Sequence, residues 1–443
     1  MNGTDTALDF ILETSWETLP ETVRHQAKRA LLDLFGALLA GVGTPVGDLM
    51  ADFCTEQYGG TEATLLVSGR KASAVGAALA NGFFQNALDI DDGYRPTKGH
   101  PGACVLSVIL AAAERRGEAT TGREFLCALI VGYELGIRAA LIRHATYACY
   151  HSSGSWGAVS GAGAAGKLLG LDRDALRRAM GCAESHAPIC PMMKGIDRPC
   201  MVKDGIGWGA GVAMASVLMA QRGFTGIEPL FADAPDPSLV SSLGRQWLLM
   251  GLYHKPYAAC RWAQPAVAGA LKVASEHRLA PEEIAKVRVR TFVAATRLSR
   301  AHPRNTEEAQ YNLAFPVAAA LVDGEVGPRQ VLPPRLHAPE ILSLMDRIEA
   351  VAEEEFEAEF PGKARGAVEV ETTEGRVFFS GVMDARWEPP QIPTDAELEA
   401  KFLWLVQPVL GEARARALCD LLWDLDAVPD AARALITLSV AGT

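Results

Sequence analysis

The feature that most constrains this chain is a change of hydrophobic period about two thirds of the way along it. Up to about residue 265 apolar residues recur at spacings of three and four, the mark of helices with one buried face; near residue 282 they begin to alternate. Pro20, Glu21 and Thr22 open a segment in which Ala27, Ala30, Leu31, Leu34, Phe35, Leu38 and Leu39 share a wide apolar face, and Gly41 ends it. The same spacing predicts helices over 72–88, 103–116, 122–143, 156–169 and 208–222, with one isolated strand at 63–68. Past the switch, 285–293 (AKVRVRTFV) alternates, and 367–372 and 376–381 flank a hairpin turn at Thr373, Glu374 and Gly375. Helix returns from 395 to about 432. The expected architecture is mostly α with a smaller α+β domain. A helical segment over 1–268 is followed by an α+β region over 269–394, and a second helical segment over 395–443 packs back on the first. No repeat of 20 to 50 residues is present.

Composition sharpens this picture and removes several classes of function. About 70 Ala and 42 Gly make more than a quarter of the 443 residues small, which suits helices packed at close range. The net charge of -11 carries no basic block, so a nucleic-acid partner is not expected. The uncharged stretches 72–88 and 205–221 are too short or too polar to span a bilayer, and no secretory leader pattern opens the chain, so a cytoplasmic protein without a membrane partner is expected. Nine cysteines stand singly without CxxC pairs, which fits reduced thiols and argues against a structural zinc site.

One motif misleads. Gly161, Gly163 and Gly166 satisfy GxGxxG, and 161–167 matches the first seven positions of a phosphate-binding loop. The next residue is Leu168 where magnesium ligation needs Ser or Thr, and no buried strand precedes it. These glycines read better as a helix face that admits a close neighbour.

The chemistry-bearing residues cluster elsewhere. Residues 89–100 (DIDDGYRPTKGH) hold Asp89, Asp91, Asp92, Arg95, Lys98 and His100 between two apolar helices, a pattern of either a charged turn or an active-site wall. The cluster does not follow the Gly and terminal Glu pattern of a calcium loop, and no metal is expected. His151 stands before Ser152, Ser153 and Gly154 at the mouth of a helix, where a histidine read alone is more often structural than catalytic. Lys203 sits in a Pro- and Gly-flanked loop at another helix entry, a natural place to hold an anion. His254, Lys255, Cys260 and Arg261 surround a Pro turn before a further helix. Loops of this kind, if they converge, make a site for a small anion.

Taken in order, NGFFQNALDIDDGYRPTKGHPGACVLSVILAAAE, VGYELGIR, HSSGSWGAVSGAGAAGKLLGLD, VKDGIGWGAGVAMASVLMAQRGFTG and HKPYAACRWAQPA resemble the MmgE/PrpD family over essentially the whole chain. The resemblance implies a homodimer with a large helical domain made of both chain ends and a smaller α+β lid. It implies one of three activities: 2-methylcitrate dehydration, cis-aconitate decarboxylation or iminodisuccinate epimerisation. All of them build negative charge on a carbon next to a carboxylate, which must be stabilised by cations or hydrogen-bond donors. Family enzymes manage this without an iron–sulfur cluster, so no cofactor is expected. Carried over by position, the acidic motif falls on Asp89 with Asp91 and Asp92, the two active-site histidines on His100 and His151, and the lysines on Lys203 and Lys255. The resemblance thus implies Asp89, His100, His151 and Lys203 as catalytic residues. Lys255, Arg261, Cys260 and Lys98 are implied to line the site for a small anionic carboxylate.

Four positions depart from the pattern. Asn86 stands where a histidine is common, Gly93 where a hydroxyl side chain is common, Cys260 where decarboxylase-like members carry histidine, and Phe315 where they offer a tyrosine hydroxyl. Lys98 and Gly99 before His100 are closer to the epimerase-like members. The expected order is therefore dehydration of a hydroxy polycarboxylate first, epimerisation second, decarboxylation third, and a non-catalytic helical binding scaffold last.

Overall fold

The computed structural model describes residues 2–440; Met1 of the expected first segment and 441–443 of the expected last one lie outside the described residues. Helices dominate up to residue 277, and a five-stranded sheet follows. At the centre, helices Ala74–Asn86, Ala103–Arg115, Gly154–Leu168 and Ile206–Gln221 pack on one another. Their small residues set the separation: a Cβ added to Gly82 would stand 2.9 Å from the Cα of Gly207, and one on Gly161 3.0 Å from the Cβ of Ala213. Gly161, Gly163 and Gly166 lie inside helix Gly154–Leu168, where they admit Ala213, Leu135 and Leu176. A helix interior has already spent its N–H groups on its own backbone, so no phosphate cradle exists there. Gly122–Thr146 is, among the described residues, the one unbent helix long and apolar enough to cross a membrane by length and composition, and nearly all of it is buried within the protein.

The sheet runs in the order Ile348–Ala352, Ile284–Thr291, Arg365–Thr372, Val377–Phe379, with Met383–Asp384 also pairing with Arg365–Thr372. The hairpin predicted around Thr373 to Gly375 is present as the antiparallel pair Arg365–Thr372 and Val377–Phe379. Strand Ile284–Thr291 pairs antiparallel with the first arm of that hairpin and parallel with Ile348–Ala352. Helices Gln264–His277 and Ala314–Asp323 pack together beside it.

Two local expectations need correction. The strand predicted over 63–68 shrinks to Ala63–Thr64 and is not isolated, because it pairs with Lys71–Ala72. Beyond it the Leu66 N–H donates to the Asn81 side chain (3.2 Å) and the Val67 N–H to the Ser439 carbonyl (3.1 Å), so a ladder cannot continue. Strand Ile348–Ala352 was not expected, since its burial falls away along its length and leaves no alternation to read.

Near the C-terminus, helix Asp395–Leu410 lies against helix Glu21–Gly41. A buried ion pair joins them: Lys401 Nζ stands 2.5 Å from Asp33 Oδ1 and also donates to the Ile90 carbonyl at 2.7 Å. That carbonyl belongs to the acidic loop, so both chain ends hold the floor of the site.

Candidate active site

The loops singled out in the sequence meet around one cavity of about 340 Å³. Asp89, Lys98, His100, Lys255, Cys260 and Arg261 all line it. Three residues of this region, Asp89, Lys98 and Lys203, have left-handed backbones with φ of 52°, 54° and 46°. Such conformations are costly for side chains with a Cβ and persist only where the surroundings fix them.

Asp89 is held by two cations. Its Oδ1 stands 2.8 Å from Lys255 Nζ and 3.4 Å from His100 Nε2, and Lys255 also donates to the Asp89 carbonyl at 3.0 Å. Burial alone would raise the Asp89 pKa, but the Lys255 charge, helped by His100 and Lys203, holds it far below the usual carboxylate range. Lys255 is correspondingly raised: desolvation opposes its charge and Asp89 restores it.

His100 is the one histidine on the cavity wall among the described residues. Its Nδ1 lies 3.0 Å from Asp91 Oδ2 and 2.8 Å from the Asp92 carbonyl, which fixes the ring and leaves Nε2 toward Asp89. Burial would strip its proton, yet Asp91 and then Asp89 hold its pKa well above the ordinary 6.5. His100 is therefore an imidazolium at neutral pH. Asn86, which stands where a histidine was expected, donates from Nδ2 to Asp91 Oδ1 at 2.9 Å and so steadies the carboxylate that charges His100. Below, burial and the charge of Asp33 push Asp92 well above its usual range, and the Tyr133 hydroxyl donates to it.

Several expected residues sit elsewhere or are already engaged. Lys203 does not line the cavity; it is buried behind Asp89, donating to the Ala87 carbonyl at 3.2 Å and to Gln310. Desolvation lowers its pKa, with Asp89 and Glu307 opposing. His151 is also off the wall, one residue beyond Tyr150, with Nε2 3.4 Å from Cys149 Sγ and its ring stacked 6.3 Å from His144. Burial and then Arg143 lower its pKa, so it is neutral. Arg261 reaches the cavity with its charge already neutralised, since Nε and Nη2 both donate to the Glu388 carboxylate, the latter at 2.8 Å. The Cys260 thiol is pushed up to about 12 by burial and by Asp89, so it stays protonated.

The structure also supplies groups that the spacing of basic residues does not single out. Asp204, next to Lys203, lines the cavity and accepts from the Ser153 hydroxyl at 3.3 Å and the Tyr311 hydroxyl at 3.0 Å. Burial and Asp204 raise the Tyr311 pKa well above 10, so it is a neutral donor. The hydroxyl that Phe315 lacks is thus offered four residues earlier, while Phe315 is fully buried and its N–H donates to Asn312. A Cβ on Gly93 would fall 2.2 Å from the Tyr253 hydroxyl oxygen. Tyr253 therefore fills the space that a side chain at 93 would occupy.

Asp89, His100 and Asp204 bring ligand-type atoms within 4.8 Å of one another. Asp89 already holds Lys255 at 2.8 Å, and both ring nitrogens of His100 face carboxylates.

The family models of the MmgE/PrpD N-terminal domain and the MmgE/PrpD C-terminal domain match residues 6–237 and 257–425. The chain belongs to the MmgE/PrpD family. Among its relatives are a cis-aconitate decarboxylase-like protein of Aspergillus oryzae, 26% identical over 99% of this chain and 97% of the relative, and a cis-aconitate decarboxylase of Aspergillus terreus, 25% identical over 94% and 91%. Both span nearly the whole chain, so MmgE/PrpD membership covers the helical and the α+β parts together. The mostly α architecture with a smaller α+β part is the one the MmgE/PrpD resemblance implied.

Proposed function

We propose that this protein is a lyase that removes water from a small hydroxy carboxylate by proton abstraction next to the carboxylate and β-elimination. One observation carries the reading: a buried imidazolium, His100, and a carboxylate, Asp204, present reactive atoms within 4.8 Å in the same cavity. That spacing suits a single H–C–C–OH unit, with Asp204 taking the proton from carbon and His100 giving one to the departing hydroxyl. The electron pair of the broken C–H bond becomes the alkene, and water leaves. Lys255 and Lys98 would stabilise the substrate carboxylate as charge develops on it. Asp89, Asn86 and Asp91 position and charge the acid, and Lys203 supports Asp89 from behind.

A second reading is decarboxylation. It draws on the names of the relatives and on Tyr311, which restores a hydroxyl that the sequence pattern lacked. There His100 would protonate the carbanion left when CO2 departs. Proton NMR in D2O with hydroxy-di- and tricarboxylates and cis-aconitate separates the outcomes. Dehydration gives a new alkene from the hydroxy acids, decarboxylation gives loss of carbon from cis-aconitate, and epimerisation gives deuterium wash-in with inverted stereochemistry. No change with any compound would leave only a binding scaffold. The proposal takes the active form as a cytoplasmic homodimer; light scattering is expected to give twice the 47.2 kDa chain mass, and a monomer counts against it.

A further inference from the structure

The cavity is chemically mixed. Its lining includes the polar Asp89, His100, Lys255 and Asp204 and also the apolar Met192, Met193, Ile196, Trp262 and Phe360. Met192, Met193 and Ile196 come from one short helix, Met192–Asp197, and the Trp262 and Phe360 rings meet edge to face at 6.3 Å. Methionines and aromatic rings with no hydrogen-bonding duty make a poor seat for a carboxylate and a good one for hydrocarbon.

The charge inventory points the same way. Arg261 is bound through two nitrogens to Glu388, and Arg95 reaches the same carboxylate at 4.0 Å. Arg297 contacts both oxygens of Asp197 at 3.0 Å. Lys255 and His100 share Asp89. Among the described residues, Lys98 is the cavity-lining cation with no carboxylate partner; its Nζ instead lies 5.6 Å from the centre of the Tyr150 ring. A substrate with three carboxylates would have to place one of them against hydrocarbon, which is costly, or draw a cation from its partner; that is costly for the mostly buried Arg261–Glu388 pair and cheaper for the half-exposed Arg297–Asp197 pair.

We propose that the substrate is an amphiphilic hydroxy dicarboxylate whose third arm is alkyl or aryl, seated against Met192, Met193, Ile196, Trp262 and Phe360. This rests on the dehydration reading and adds the chemical class of the arm. The 2-substituted malates test it, because they share one reacting core and differ only in that arm: carboxymethyl (citrate), methyl, butyl and benzyl. Elimination is followed as alkene formation, and binding of the same four acids by calorimetry. The expected result is that kcat/KM rises from methyl to butyl by about threefold to fourfold per buried CH2, with butyl and benzyl both above citrate. Met193→Arg, at a half-buried position, is expected to lower kcat/KM for butylmalate at least tenfold and to raise it for citrate. Citrate eliminated faster than every alkyl analogue would overturn the inference and leave dehydration standing. If none is eliminated, dehydration fails; the binding order then decides the arm, with butylmalate tighter than methylmalate and citrate supporting it. Tighter binding of citrate, or no binding, overturns it.

Discussion

The left-handed backbones of Asp89, Lys98 and Lys203 each cost about 1–2 kcal/mol relative to a right-handed one. Each is held by a specific partner: Lys255 grips the Asp89 side chain and carbonyl, the Tyr150 hydroxyl donates to the Lys98 carbonyl, and the Lys203 N–H donates to Cys200 at 3.1 Å. The strain aims Asp89 at His100, and the charge of His100 is the main testable consequence. Asp91 and Asp89 outweigh burial, so the imidazolium survives well above 6.5. Activity that needs this proton is expected to persist above pH 6.5 and to decline only as pH rises through the elevated pKa. Its linked stability follows the same sign, full below the unfolded value and lost toward alkaline pH. A kcat/KM profile descending near 6.5 would remove His100 as the acid. His100→Asn should lower kcat by about 10²–10⁴-fold, the usual weight of a general acid, with the circular dichroism spectrum retained. Cys260 makes a contrasting case: with its thiol at about 12, iodoacetamide at pH 7.5 should label the exposed Cys149 and Cys200 first, as read by peptide mass spectrometry. Early loss of Cys260 would contradict its buried neutral state. Asp89 and His100 stood out because a dense polar loop between apolar helices is conspicuous, and Lys255 because basic residues gather at a Pro turn before a helix. Asp204 and Tyr311 did not, because a single carboxylate or phenol acquires meaning only from the neighbours that folding brings to it.

Elements rather than residues explain why the helical part was readable. Glu21–Gly41 begins after Pro20 and ends at Gly41 as its sequence predicts, and the Gly/Ala faces became helix contacts. Strand Ile348–Ala352 escaped notice because a parallel edge strand is selected by its partner Ile284–Thr291, a non-local fact. The same non-locality hides the role of helix Asp395–Leu410, whose Lys401 looks like an ordinary surface charge in the sequence. In the fold it is 4% exposed and is the principal cation holding the Asp33 pKa down against burial. Removing it leaves a buried carboxylate between helices, a defect worth about 3–5 kcal/mol. Lys401→Ala is therefore expected to lower the urea midpoint substantially, while Lys401→Arg recovers part of the loss. Because Lys401 also holds the Ile90 carbonyl, the alanine variant should lose activity before it unfolds globally, which separate activity and fluorescence curves in urea will show. Coincident curves and an unchanged midpoint would mean that the pair contributes little.

At the scale of the molecule, the cavity belongs to neither part alone. Asp89, His100, Ile196 and Asp204 come from the helical part, whereas Ala294, Arg297 and Phe360 come from the region that carries the sheet. A net charge of -11 does not reveal this arrangement, since the charge that matters is the local set of Lys98, His100 and Lys255 facing an anion. A ligand seated between the two parts contacts both, so its binding energy is withdrawn from any opening that separates them. At a ligand concentration of 100 Kd the folded state gains about 2.7 kcal/mol. A non-reactive analogue such as an alkylsuccinate, which lacks the leaving hydroxyl, should therefore raise the thermal midpoint. It should also slow amide exchange in three separate segments, 87–100, 192–204 and 292–300, which are distant in sequence and all contribute to the cavity lining. The sheet strand Val377–Phe379, which contributes nothing to the cavity lining, is the internal control and should exchange unchanged. Protection confined to 87–100 would show that the ligand rests on the helical part alone, and would take the α+β region out of the site.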